Sequence, residues 1–132
     1  MAHRIEIRLR ERAPDARGDR IQREINHFLH IPVDSVRTID VYSIDAELSD
    51  AELNVIASEP LCDAIIQEYS IDAPSARDFD FLVEVGFRPG VTDNVGRTAR
   101  EAIEYVTGRP PGEGRGVYTS DQYLLTGNSS RD

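Results

Sequence analysis

The sequence predicts an α+β protein built from duplicated βαβ(β)αβ units, with antiparallel or mixed sheets, helices on one side, a pseudo-two-fold arrangement and a truncated second copy. Three observations predict it. The first is self-similarity: at a spacing of 78 (93 − 15), Glu6, Arg10, Asp15, Gly18 and Ile25 fall on Glu84, Arg88, Asp93, Gly96 and Ile103. After a three-residue insertion the spacing is 81 (121 − 40), and Val36, Thr38, Asp40, Tyr42 and Ser49 fall on Val117, Thr119, Asp121, Tyr123 and Ser130. The second is period, since each copy opens with strand-like alternation and continues with helix-like spacing of apolar residues. The third is size: 132 residues suit one domain able to bury roughly two thirds of its unfolded surface. Two copies are too few for a solenoid, which needs about three. Halves that pack as the subunits of a homodimer do are the better solution.

Ile5, Ile7 and Leu9 alternate with Arg4, Glu6, Arg8 and Arg10, so the first strand has one core face and one wet face. Asp15 follows Pro14 as a helix N-cap, and Ile21, Ile25, Phe28 and Leu29 recur at i, i+4, i+7 and i+8 on a helix ending near Pro32. Val36, Ile39, Val41, Tyr42 and Ile44 predict a second strand, either long or folded back on itself. Ser49-Asp50-Ala51-Glu52 is a capping box that opens a short helix through Leu53, Ile56 and Ala57, which Pro60 closes. Ile65, Gln67, Tyr69 and Ile71 share one side of a last strand.

These elements make residues 1–73 a first unit, 74–78 a polar linker and 79–132 a second, incomplete unit. In the second, Phe81, Val83, Val85 and Phe87 repeat the first strand, and Asp93 repeats the cap ahead of Ala99, Ile103 and Val106. Val117 to Leu125 repeats the second strand. Ser130 matches the capping Ser49, so the chain stops just inside an expected helix and reads as the opening of a longer polypeptide or as a frayed tail. A unit without its second helix would bare an apolar patch of roughly several hundred Å², from which self-association is expected. Ile25 and Ile103 are expected at equivalent buried positions.

Composition narrows the function. The formal net charge is −9, from 24 acidic and 15 basic residues, which disfavours nucleic acid and anionic membranes as partners. All the basic residues are arginine, so lysine Schiff bases and P-loop phosphate grips are excluded. Cys62 is alone, which rules out an intrachain disulfide and leaves a structural thiol. The first residues form neither a signal peptide nor a transmembrane run, and a cytoplasmic location is the default.

No residue pattern forms a catalytic constellation. His27 and His30 lie three apart without a third ligand, and no metal site is assigned. Gly112-Glu-Gly-Arg-Gly116 precedes a strand instead of opening a helix, so it reads as an insertion and not as a phosphate loop. Asp15-x-x-Gly18 and Asp93-x-x-Gly96 read as caps with a close backbone approach, since an Asp at the cap would repel an added anion. Arg10 and Arg88, at equivalent strand ends, are either interface arginines or solvated ends. The repeated Thr-x-Asp-x-Tyr pattern, Thr38, Asp40, Tyr42 and Thr119, Asp121, Tyr123, fits cross-strand packing.

The charged first strand, Asp15-x-x-Gly18, the amphipathic helix, Val36-Arg-Thr-Ile-Asp-Val-Tyr42, the short helix and Ile65-Ile-Gln-Glu-Tyr69 together resemble the small structural subunit of phosphoribosylformylglycinamidine synthase, the PurS type. The duplication, with Gly86-Phe-Arg-Pro-Gly-Val-Thr-Asp-Asn-Val-Gly96, resembles the N-terminal domain of the large fused form of that synthase, over residues 3–125. The resemblance implies a role in purine biosynthesis, where the ligase converts formylglycinamide ribonucleotide to its amidine with ATP and glutamine-derived ammonia. It implies a non-catalytic chain whose partners are a synthase domain, in cis if the chain is a fragment, and a glutaminase. ATP and magnesium would belong to the synthase, with no cofactor in this chain. Interface candidates are then Arg10, Arg88, Asp15, Gly18, Asp93 and Gly96. A second reading stays open: a free-standing regulatory module of tandem βαβ units that binds a small molecule.

Overall fold

The alternating residues at the start of the chain form strand β1 (Ala2–Leu9) in the computed structural model, which describes residues 2–86, 94–108 and 116–127. There follow α1 (Ala16–Phe28), β2 (Ser35–Asp45), α2 (Asp50–Ser58), β3 (Gln67–Ile71), β4 (Phe81–Gly86), α3 (Asn94–Thr107) and β5 (Val117–Thr126). The strands form one sheet in the order β3-β1-β2-β5-β4, with every neighbouring pair antiparallel. An α+β fold is therefore present, but with a single sheet where the sequence suggested sheets in the plural. The reason is the length of β2 and β5, which pair along their whole course from Ser35↔Thr126 to Ile44↔Val117. Backbone hydrogen bonds, not stacked faces, join the two halves.

One face of the sheet carries the helices. Ile5, Ile7, Ile44 and Val117 pack there with Leu53, Ile56 and Ala57 of α2 and Ala99 and Ile103 of α3. The predicted capping box closes both ways, Ser49 Oγ accepting from Glu52 N at 3.1 Å and Glu52 Oε1 from Ser49 N at 3.0 Å. On the opposite face Ile39, Val41 and Leu124 are buried under Ala76. This second core is covered by the connection between β3 and β4, which must pass from one sheet edge to the other. Ser75 N donates to Glu6 Oε1 at 2.8 Å, Arg8 Nη1 donates to Ser75 O at 2.8 Å, and Asp80 N reaches Leu125 O at 2.9 Å. The polar linker of the sequence is thus a strap across the helix-free face.

Three local expectations change. β2 is one uninterrupted strand and is not folded back. Ile65 stands outside β3 and is 85% exposed, because Asp63 makes a turn, its Oδ1 accepting from Ile65 N and its carbonyl from Gln67 N. Ile25 is only half-buried where Ile103 is 1% exposed, so the two are not equally deep in the core. The helix expected to open at Ser130 lies outside the described residues.

Candidate functional site

The centre of the sheet is built from the repeated strand pattern. Across β2 and β5, Thr38 pairs with Tyr123, Asp40 with Asp121 and Tyr42 with Thr119. Two carboxylates thus oppose each other on the helix side, where like charges cost energy. Arg17 from α1 answers them, with Nη2 2.8 Å from Asp40 Oδ1 and Nη1 3.6 Å from Asp121 Oδ1. Burial works against the Arg17 charge, but the bond to Asp40 and the field of both carboxylates hold its pKa above the ordinary arginine value.

Beside this cluster Asp15 fixes the start of α1. Its Oδ1 accepts from Gly18 N at 2.8 Å, and its Oδ2 accepts from Thr38 N at 2.7 Å and Thr38 Oγ1 at 2.8 Å. The cap is also a clamp from helix to strand. Gly18 allows the approach, since a Cβ there would stand 2.1 Å from Val36 O. An open depression of about 290 Å³ lies alongside, lined by Ile7, Leu9, Asp15, Arg17, Thr38, Asp40 and Gln67. Its charged groups already have partners, Arg17 with Asp40 and Asp15 with Gly18 N and Thr38, which leaves little to grip a charged ligand.

The other candidates are dispersed. Arg10 Nη2 donates to Ala64 O at 2.9 Å, bracing the lead into β3. Gly96 is buried in the first turn of α3, as Gly18 is in α1. Arg88 and Asp93 lie outside the described residues, as does most of the Gly112–Gly116 insertion. His27 meets the Phe28 ring edge-on at 4.8 Å, and His30 follows α1 at φ 55°. Cys62 packs half-buried against the main core, which pushes its thiol pKa up. Among the described residues no helix is long and apolar enough to cross a membrane, and no three His, Cys, Asp or Glu side chains converge as a metal site would require.

Sequence reasoning missed a network on the strap side of the sheet. Arg4 of β1 reaches across the two central strands, its Nε 2.7 Å from Glu6 Oε2 and its Nη2 2.7 Å from Glu84 Oε1 on β4. Glu84 also accepts from Ser120 Oγ at 2.7 Å and Gln122 Nε2 at 3.0 Å. The bond from Arg4, aided by these two and opposed by desolvation, lowers the Glu84 pKa to about 2. The available signal was that Glu6 and Glu84 are repeat equivalents; no local pattern names Arg4 as their common partner.

A further open surface is β4. It ends the sheet, and all its residues are exposed. On its helix side Val83 and Val85 are 46% and 54% exposed, whereas Ile5 and Ile7, their counterparts on β1, are 0% and 2% exposed. Phe81 shares this face with them, and Phe28 of α1 is 70% exposed.

Residues 2–75 match the family model described as PurS: Phosphoribosylformylglycinamidine (FGAM) synthase. No curated protein and no solved structure matches the chain.

Proposed function

The chain belongs to the PurS family of phosphoribosylformylglycinamidine (FGAM) synthase, and from that premise we propose that it is an assembly domain made of two PurS-type units in one polypeptide. The first unit is residues 1–73, the strap 74–78 joins them, and the second is residues 79–132. The observation that carries the duplicated reading is the sheet register. Shifting the β1–β2 pair Glu6↔Val41 by the two repeat spacings gives Glu84↔Gln122, which is the pair between β4 and β5. Applied to β2 and β5, the same spacing turns Thr38↔Tyr123 into Thr119↔Tyr42, so that contact is self-complementary about Asp40↔Asp121. An isologous contact of this kind is what a two-fold dimer of single units would have.

In this role the chain carries no bond-breaking step. It presents surfaces on which a synthase component, using ATP and magnesium, and a glutaminase releasing ammonia are held together for amidine formation in purine biosynthesis. Arg10, Asp15, Gly18 and Gly96 support it chiefly by fixing helix starts and a strand end, which sets the shape of those surfaces, and Arg88 and Asp93, outside the described residues, stay interface candidates by their repeat positions alone. The paired charges of the depression favour assembly over a small-molecule regulatory site. Sedimentation of the chain with purified synthase and glutaminase components, with glutamine-dependent amidine formation assayed in parallel, tests the proposal. A ternary complex whose glutamine-dependent rate falls when the chain is omitted is expected. A rate indifferent to the chain, with no co-sedimentation, would overturn it.

A further inference from the structure

Arg8 stands on the strap side of the sheet with its charge unanswered. It lies opposite Glu68 on β3 and Ile39 on β2, two residues from Glu6 on the same face of β1, and is only 9% exposed. Either carboxylate is near enough in register to serve it, yet both are held elsewhere. Glu6 accepts from Arg4 Nε at 2.7 Å and from Ser75 N at 2.8 Å, and Glu68 stands 3.8 Å from Arg77 Nη2. Among the described residues Arg8 has no ion-pair partner, and its one bond runs from Nη1 to Ser75 O at 2.8 Å. Its Nε is buried without an acceptor. The Nε–Nη2 edge of the guanidinium, a parallel pair of donors, is therefore unused. An unmade bond at a buried charged donor is among the costlier features a fold can carry.

The surroundings are positive in an otherwise acidic molecule. Arg37, two residues from Ile39 on the same face of β2, donates only to the carbonyls of Ala13 and Arg10. Arg77 rises from the strap, 57% exposed, with the long link to Glu68 as its ion pair. Burial is the largest influence lowering the Arg8 pKa; the charges of Arg77 and Arg37 add to it, while Glu68 and Glu11 oppose it without restoring the ordinary value. Three arginines thus face two carboxylates here, which leaves one positive charge in excess. Glu6, the remaining acid on this face of β1, is matched by Arg4.

We propose that the corner formed by Arg8, Arg37 and Arg77 is a binding site for a carboxylate, which takes the free Nε–Nη2 edge of Arg8 in a two-point grip. The two coplanar oxygens of a carboxylate match that edge, and its single charge balances the excess. Its flat, slender shape suits an entrance that leaves Arg8 9% exposed. The site lies on the opposite face of the sheet from the Asp15 depression and does not depend on the duplicated reading. The acid is a free small molecule or a side chain of a second copy of this chain, and the same grip serves both.

The test is an NMR titration of the full chain that follows the arginine Nε–Hε signals, with sodium acetate added against sodium chloride at equal ionic strength. Acetate should move the Arg8 signal saturably and chloride should not. Arg8→Lys, followed through the Ser75 and Ala76 amides, should weaken acetate binding at least about tenfold, because lysine keeps the charge and loses the edge. Arg77→Gln, a change at an exposed strap position, should weaken it about two- to fivefold with an unchanged circular dichroism spectrum. Movement of the Arg8 signal on concentrating the chain without acetate would identify a second copy as the source; movement with acetate alone would identify a small acid. Shifts that chloride reproduces, or acetate bound equally well by Arg8→Lys, would overturn the proposal. Inorganic phosphate moving the Arg8 signal at lower concentration than acetate would overturn the choice of carboxylate. An Arg8 Hε already shifted downfield without acetate, and restored by Glu68→Gln, would also overturn it, since Glu68 would then fill the edge itself.

Discussion

The two halves of the sheet have the same register and opposite exposure. Ile5 and Ile7 lie beneath α2, while Val83 and Val85, on the same face of the sheet in β4, are exposed. The helices repeat the contrast, with Ile103 buried and Ile25 half-buried. Strand pairing thus runs through both halves, whereas burial of the strand faces depends on a cover such as α2, which has no counterpart over β4 among the described residues. A strand can be specified by its neighbours and still lack a core of its own.

The sharpest way to break this comparison is to truncate the two isoleucines. Ile103→Ala should cost about 3–5 kcal/mol, the upper part of the range for a fully buried aliphatic, because Leu53, Ile56 and Ala99 cannot all collapse into the space. Ile25→Ala should cost less than about 2 kcal/mol, as its surroundings are already open. Urea denaturation of both variants measures the difference. Equal costs would mean that the halves are equally packed.

Next in size is the clamp at the start of α1. Gly18→Ala would drive a Cβ into the Val36 carbonyl, and neither helix nor strand can yield without losing the Asp15 bonds to Thr38. A loss of about 1–3 kcal/mol is expected, as for other overpacked sites, and is read from the urea midpoint. A third and smaller effect concerns association. The bare face of β4 should make the isolated chain sediment with concentration dependence, and Val83→Asp with Val85→Asp should leave a monomer with an unchanged circular dichroism spectrum. A wild-type chain that remains monomeric would show that the uncovered half needs no partner in order to stay soluble.

These contrasts show what local sequence can and cannot carry. The caps were legible, because Asp15 and Ser49 act within one helical turn, and so was the cross-strand packing of the Thr-x-Asp-x-Tyr copies, although nothing in the sequence said that β2 and β5 would pair with each other, Thr38 opposite Tyr123 and Asp40 opposite Asp121. Periodicity also identified Ile5 and Ile7 as inward-facing, but it gave Val83 and Val85 the same inward face without saying whether anything covers it. Burial is set by the layer above, and alternation does not encode that layer. The strap escaped notice for the same reason. Its polar residues look like a linker, and only the edge-to-edge path from β3 to β4 lays Ala76 over Ile39, Val41 and Leu124. Ile65 was misread because a side-chain turn at Asp63 interrupts the alternation just before β3 begins.

The smallest expected effect separates Glu84 from the rest of β4. Although the strand is exposed, this carboxylate is held by Arg4, Ser120 and Gln122, and its pKa falls from 4.5 to about 2. A folded-state pKa below the unfolded one stabilises the protein above the unfolded value, and the contribution is lost as pH falls from about 4.5 through about 2. Because a third of the side chain faces solvent, screening keeps this below about 1 kcal/mol. Glu84→Gln should therefore lower stability slightly at neutral pH and flatten its decline between those two pH values, as measured by urea midpoints across the range. An unchanged slope would mean that Arg4 does not tie β4 to β1. The second half would then be held by its pairing with β5 and by the strap alone.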